Sequence, residues 1–180
     1  MHKLILTMKP GTVLFLIAIF IQAMASAQQK TSFGDEVGTL DGIIKAYYEV
    51  VSVKIGEKIS YQRDSMLHSP NALVGLPGKD KDGKFKMNLV SVKKYHQLAD
   101  AGLEKEGFYE NEISRKTENF GAVYHVWSTY ESKKIVTGPV IERGINSIEL
   151  YFDGTRFWIT SWSFDKETEK NKIPAAYLIK

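Results

Sequence analysis

The chain has no cysteine and only five prolines in 180 residues. Without cysteine, disulfides, thiolate nucleophiles, cysteine-type zinc centres and lipid anchoring through a thiol are all excluded. Gly-x-Gly-x-x-Gly, a phosphate-cradling Gly-Lys-Thr and a Gly-x-Ser-x-Gly elbow are missing as well. No cofactor of the nucleotide kind and no hydrolase triad of that kind is therefore indicated. Past residue 27 there are three histidines, His68, His96 and His125, with no His-x-His or His-Glu-x-x-His spacing, so no metal is assigned. Charge of one sign is scarce too, with 24 Lys and Arg against 21 Asp and Glu. What remains is 43% hydrophobic and 12% aromatic. That is too apolar for a disordered tail and the right size for one globular domain.

Lys3 and Lys9 open the chain, Val13 to Ile21 is apolar, and Ala25-Ser26-Ala27 places small residues before Gln28. Basic, apolar, small is the order of a secretory signal peptide. The apolar run breaks at Gln22, short of the roughly 20 residues a spanning helix needs. Residues 1–27 are thus expected to be removed on export to the periplasm or the exterior, with no stable membrane insertion afterwards. Loss of Lys3 and Lys9 takes the basic count from 24 to 22 against 21 acids, so the net charge falls from +3 to +1. Lysines 79, 81, 84, 86, 93 and 94 make a basic neighbourhood. Asp80 and Asp82 dilute it and no aromatics interleave it, so nucleic acid is not an expected partner.

Residues 28–36 read as a flexible lead-in. Leu40, Ile43, Ile44, Tyr47, Tyr48 and Val51 then recur at helical spacing, with Thr39 or Asp41 as cap and Gly56 as stop. A second helix is expected over Tyr61 to His68, ended by Ser69-Pro70-Asn71, and a short strand over 72–76. Asp80-Lys81-Asp82-Gly83 looks briefly like a calcium loop, but Gly78 and Leu89 stand where acids would be needed, so it reads as a hairpin tip. A strand over 85–90 leads to a helix capped by Ser91 and stopped by Gly107, with Val92, Tyr95, Leu98, Ala99, Gly102 and Leu103 inward. Of Tyr95 and His96, only one is expected to face inward, and Tyr95 fits the stripe. Beyond Gly107 the period drops to two, giving four long strands with a hairpin at Asp153-Gly154. Residues 168–180 form a tail with Tyr177 and Leu178 available for docking. Helices early and a strand meander late make an α+β layout.

Several segments carry a resemblance: Ile43-Ile44-Lys45-Ala46-Tyr47-Tyr48, Met66 to Ala72, Ala122 to Glu131, Arg143 to Leu150, and Asp153 to Ile159. In that order, the chain over about 37–167 resembles the nuclear transport factor 2-like superfamily, in its SnoaL-like and ketosteroid-isomerase-like branch. The resemblance implies a cone, a curved antiparallel sheet wrapped around three helices with a pocket at one end, and often a homodimer through the sheet face. It also implies that isomerase chemistry would need a carboxylate near Leu76 and a second acid near Ile148. Both positions are apolar, so a base would have to come from elsewhere.

On strand 121–133, His125 and Trp127 share one face and Tyr124 and Tyr130 the other. His125 on the pocket wall would serve as a general base with Tyr47 as hydrogen-bond donor. The alternative is a half-buried histidine on the outer face. Trp158, Thr160 and Trp162 are expected on one face, Phe157, Ile159, Ser161 and Ser163 on the other. Asn146 shares a face with Ile148 and Leu150 and needs a partner if that face is interior. Arg143 falls on the other face, as a salt bridge. Candidate ligand-binding residues are Tyr47, His68, Tyr95, Trp127, Asn146 and Trp162; His125 and Tyr47 are the catalytic candidates. Three functions stay open: an exported module binding a small apolar or aromatic molecule in a largely apolar pocket; a cofactor-independent isomerase, cyclase or hydratase using His125 or His68 as base; and a dimeric accessory subunit whose pocket is filled by its own side chains.

Overall fold

The computed structural model describes residues 33–179. The expected leader and the first part of the lead-in lie outside the described residues. Helix α1 spans Leu40–Val51, and Thr39 caps it by accepting from the Gly42 N–H at 3.0 Å. Ahead of α1, a 3-10 turn at Gly34–Gly38 crosses so close that a Cβ on Gly42 would meet the Glu36 carbonyl. The turn belongs to the core, because Phe33 and Val37, four apart, are both buried and the Arg63 guanidinium lies over the Phe33 ring. Residues 33–36, expected within the loose lead-in, therefore belong to this ordered turn. At its other end α1 stops at Val51, ahead of Gly56. Val53 pairs there with Phe108, which takes the backbone out of the helix.

Helix α2 is short, Tyr61–Ser65, with Ser60 as cap. It ends three residues earlier than its sequence suggests. Leu67 gives its carbonyl to the Ile159 N–H, and His68 already pairs with Ile159 as a strand. A neighbouring strand with open backbone groups outcompetes local helix propensity here. Helix α3, Val92–Glu106, has the expected Ser91 cap and ends at Gly107, where φ is +74°. There a Cβ would sit 2.5 Å from the Lys134 carbonyl oxygen. Leu98, expected inward, is exposed, and His96 is buried in its stead.

Six strands follow: β1 His68–Lys79, β2 Phe85–Ser91, β3 Tyr109–Phe120, β4 Val123–Lys133, β5 Glu142–Phe152 and β6 Phe157–Lys166. They form one curved, unclosed sheet in the order β2-β1-β6-β5-β4-β3. Every neighbouring pair is antiparallel except β1 with β6, which is parallel. The expected α+β class holds, with that one parallel seam added. Pro77 to Lys79 belong to β1, so the turn shrinks to residues 80–84. Asp80 Oδ1 accepts there from the Asp82 and Lys84 N–H groups. The β5–β6 connection is longer than two residues. Asp153 N–H bonds the Arg156 carbonyl and β6 starts at Phe157.

Two bulges decide which side chains face the helices. In β6 the pairing runs Leu150 with Ile159, then Glu149 with Ser161, leaving Thr160 as the extra residue. An inserted residue reverses the alternation beyond it. Phe157, Ile159 and Trp162 are therefore all buried on the inner face, while Trp158 turns out and donates to Asp153. This corrects the plain alternation that grouped Trp162 with Trp158 and Thr160. In β3 the register shifts between Glu112 and Ser114. Glu110 and Glu112 stand opposite the inner residues Ser132 and Tyr130, and beyond the shift Arg115 stands opposite the inner Ser128.

The inner face also carries Val74, Val126, Ile148 and Leu150, which pack with Ile43, Ile44 and Leu67 into one core. Each such burial contributes roughly 2 kcal/mol, so this face holds the sheet to its helices. On the outer face the C-terminal tail docks. Tyr177 stacks on Trp127 at 5.5 Å, Thr129 donates to the Tyr177 carbonyl, and Ser114 donates to that of Ile179.

Candidate functional site

A cavity of about 180 Å³ opens between α1, α3 and the inner sheet face. Val51, Leu103, Phe108, Trp162 and Phe164 give it apolar walls; Tyr47, Tyr95, Glu110, Tyr130, Glu142 and Asn146 supply its polar groups. Larger depressions exist, such as the one between residues 140–143 and 166–172. It is open and its charges are already paired, Arg143 with Glu167 and Lys172 with Glu169. The interior cavity combines apolar walls with several polar groups.

The helices place the aromatic residues. Tyr47, on the buried stripe of α1, meets Trp162 edge to face at 5.9 Å, and Tyr95 of α3 does the same at 5.6 Å. Neither tyrosine hydroxyl bonds another described side chain, and both residues line the cavity. Burial, reinforced by Glu110, raises both of their pKa values, so both remain donors.

The strands place Glu110. Its N–H bonds Ser52 Oγ at 3.2 Å, just past α1, which fixes the start of β3 against the helix. Its Oε1 accepts from Asn146 Nδ2 at 2.9 Å. Burial pushes its pKa up to about 7; the Asn146 bond opposes that rise and the Glu142 charge adds to it. Asn146 also donates to the Tyr48 hydroxyl at 3.2 Å. Glu142, the other acid of the cavity, accepts from Tyr130 at 3.1 Å and lies 3.6 Å from Lys166. A carboxyl poised near neutrality beside two protonated phenols can bind a polar atom or move a proton.

A second polar cluster stands next to the cavity. Asp64 accepts from His68 Nε2 at 3.1 Å and from His96 Nε2 at 2.9 Å. His96 Nδ1 in turn meets Asp100 at 2.9 Å. With both ring nitrogens on carboxyl groups, the doubly protonated form of His96 is favoured and its pKa is raised. His68 meets Asp64 through Nε2, and its buried Nδ1 has no partner among the described residues. Its ring stacks on Trp162 at 4.7 Å.

Of the residues expected from the sequence, Tyr47, Tyr95, Asn146 and Trp162 come together on the cavity. His68 lies behind this wall, against Trp162, and is not part of the lining. His125 and Trp127 are turned away. His125 sits on the outer face, with Nε2 at 3.2 Å from Ser147 Oγ and 3.8 Å from Glu149, while Trp127 is covered by Tyr177. The pairing of β4 with β5 explains this, since Val126 and Ser128 stand opposite Ile148 and Asn146 and take the inner side. His125 cannot act on anything in this cavity. Tyr95 and His96 do not exclude each other, because α3 meets the sheet on one side and α2 on the other; Tyr95 takes the cavity and His96 takes Asp64. Glu110 and Glu142 were missed. The one trace of Glu110 in the sequence is its parity with Phe108, an acid two residues after an aromatic at the start of a strand.

No protein family and no curated protein matches the chain. Solved structures do. The beta subunit assigned to an aromatic-ring-hydroxylating dioxygenase of Novosphingobium aromaticivorans is 11% identical, with a TM-score of 0.51, over 73% of this chain and 89% of that one. A Nostoc punctiforme protein of unknown function with a cystatin-like fold is 5% identical, also at 0.51, over 71% and 87%. An NTF2-like protein of unknown function from Methylobacillus flagellatus is 13% identical at 0.46, over 70% and 87%. The class is thereby set as a fold alone: an α+β domain with a curved, unclosed sheet packed on helices, shared with the two structures matched at 0.51. Identities this low establish the fold and leave function to the site.

Proposed function

We propose that this domain binds a small, largely apolar molecule in the interior cavity. The observation that carries this is a space of about 180 Å³ walled by rings, onto which Tyr47, Tyr95 and Glu110 bring polar groups with bonding capacity to spare. An apolar cavity of about 150 Å³ takes benzene. The space therefore suits one ring with a hydroxyl or carbonyl, and is too small for a four-ring skeleton. The test is 4-methylphenol. At 100 times its Kd, a bound ligand stabilises the folded state by about 2.7 kcal/mol, which raises Tm by several degrees. If 4-methylphenol, cyclohexanone and benzene all leave Tm unchanged at millimolar concentration, the reading is wrong.

The pKa of Glu110, near 7, favours a second reading: a cofactor-independent isomerase, cyclase or hydratase. Glu110 replaces the histidine expected as base, and Tyr47 donates to the developing oxyanion. Exchange of the α-protons of cyclohexanone in D2O, followed by NMR, would then be accelerated by the protein and lost in Glu110→Gln. Equal rates with and without protein exclude it.

Export and self-association complete the proposal. Export rests on the leader at residues 1–27, and the exported protein should begin at Gln28 by N-terminal sequencing. A homodimer through the outer sheet face is supported by Leu73, Met87, Leu89 and Val123, all exposed. Sedimentation at micromolar concentration should give twice the monomer mass, and a monomer would refute the dimer.

A further inference from the structure

A chain of hydrogen bonds runs from the edge of the inner face to Glu110, and its outer end fixes its direction. Arg115 grips the Glu112 carboxylate with Nε and NH2, at 2.9 and 2.6 Å. A carboxylate held in such a fork has only acceptors to offer. Ser128 therefore spends its single proton on Glu112 Oε1, at 2.5 Å. Only lone pairs remain on Ser128 Oγ for Tyr48, 2.6 Å away, so the Tyr48 hydroxyl donates. The Tyr48 oxygen must then accept from Asn146, and the amide atom facing it is Nδ2. The other proton of that nitrogen reaches Glu110 Oε1.

We propose that Ser128 and Tyr48 are positioning residues that hold the Asn146 amide with its nitrogen toward Glu110, leaving Glu110 Oε2 as the oxygen presented to the cavity. Neither residue lines the cavity. Release of the Tyr48 hydroxyl from Ser128 would let it donate to Asn146 instead. The amide could then turn over and set its carbonyl against the carboxylate. No other side chain around Glu110 bonds it among the described residues. Glu142 of β5 is an acid, and the remaining neighbours are the phenols Tyr47 and Tyr48 of α1, Tyr95 of α3 and Tyr130 of β4. No basic side chain bonds Glu110 among the described residues. The consequence for a ligand rests on the binding function proposed above; the orientation of the amide does not.

The experiment is a carboxyl 13C NMR titration of Glu110 in the full domain. Ser128→Ala and Tyr48→Phe each cut the chain, and both are expected to raise the Glu110 midpoint by about one pH unit, which takes the carboxylate at pH 7 from about half to about a tenth. Ser114→Ala, which removes a hydroxyl bonded to the tail, should leave the midpoint where it is. A midpoint that is the same in all four proteins overturns the proposal, whatever happens to Tm. Should the variants not fold, the wild-type Asn146 side-chain NH2 resonances decide. They must shift through the Glu110 midpoint, and an amide pair indifferent to it overturns the proposal. Binding of 4-methylphenol is measured alongside. A moved midpoint without binding sinks the binding function and leaves the positioning role standing, while binding with an unmoved midpoint does the reverse.

Discussion

His96 donates through Nε2 to Asp64 at 2.9 Å, and both side chains are almost fully buried. Burial alone would lower the His96 pKa, but the bond and charge of Asp64, then of Asp100, outweigh it and the pKa rises. Burial alone would raise the Asp64 pKa, but the bonds from His68 and His96 outweigh it and hold it at about 2. The pair joins α2 to α3 next to the cavity, and it responds to pH from both ends.

The stabilisation from His96 is complete below its ordinary value of about 6.5 and is lost as pH rises through its raised one. The stabilisation from Asp64 is complete above about 3.8 and is lost as pH falls toward 2. Unfolding free energy should therefore peak between about pH 4 and pH 6.5. Urea titrations across pH check this. Asp64→Asn should flatten both limbs and cost about 3 kcal/mol at pH 5.5, as expected when one partner of a buried pair is removed. An unchanged profile in the variant would contradict the assignment.

Deleting Thr160 should return β6 to plain alternation and swing Trp162 out of the core. A core aromatic is worth 3–5 kcal/mol on truncation, so a loss on the order of 3 kcal/mol or more is expected. Near-UV circular dichroism and tryptophan emission measure it. Thr160→Ala, which keeps the extra residue and loses only the bond to the Glu149 carbonyl, should cost about 1 kcal/mol.

Tyr47→Phe should weaken 4-methylphenol by roughly five- to tenfold, the worth of one hydrogen bond. His125→Ala should leave that affinity unchanged, since His125 lies on the outer face. Isothermal titration distinguishes the two, and equal losses would mean that the cavity has been misplaced.

Tyr177→Ala should uncover Trp127 and shift its emission to the red, with a stability loss of about 1 kcal/mol for the stacked pair. A spectrum identical to wild type would show that the tail does not hold this position in solution.

Much of the candidate site could be read from residues. Tyr47 sits on a stripe whose period admits one reading, and Asn146 alternates with Ile148 and Leu150, so its burial followed once that strand was placed. Trp162 lines the cavity, although the bulge at Thr160 gives it other face-mates than plain alternation predicts. Glu110 and Glu142 escaped because an acid at a strand end is ordinarily solvated. Only the closure of α1 and α3 over β3 and β5 half-buries Glu110 beside the tyrosines. His125 was misassigned because either face of an isolated strand could be the inner one.

The sequence by itself narrowed the α1 cap to Thr39 or Asp41 and determined the helix start at Ser91, the stop at Gly107, the switch to strands beyond it, and the α+β class. Those features depend on hydrogen bonds and periodicities reaching no more than four residues. Tertiary structure alone decided where α2 gives way to β1, which residues form the bulges at Thr160 and between Glu112 and Ser114, and which carboxyl stands beside the tyrosines. Each of these is settled by a partner many residues away in the chain, whose backbone groups must be paired and whose surface must be covered.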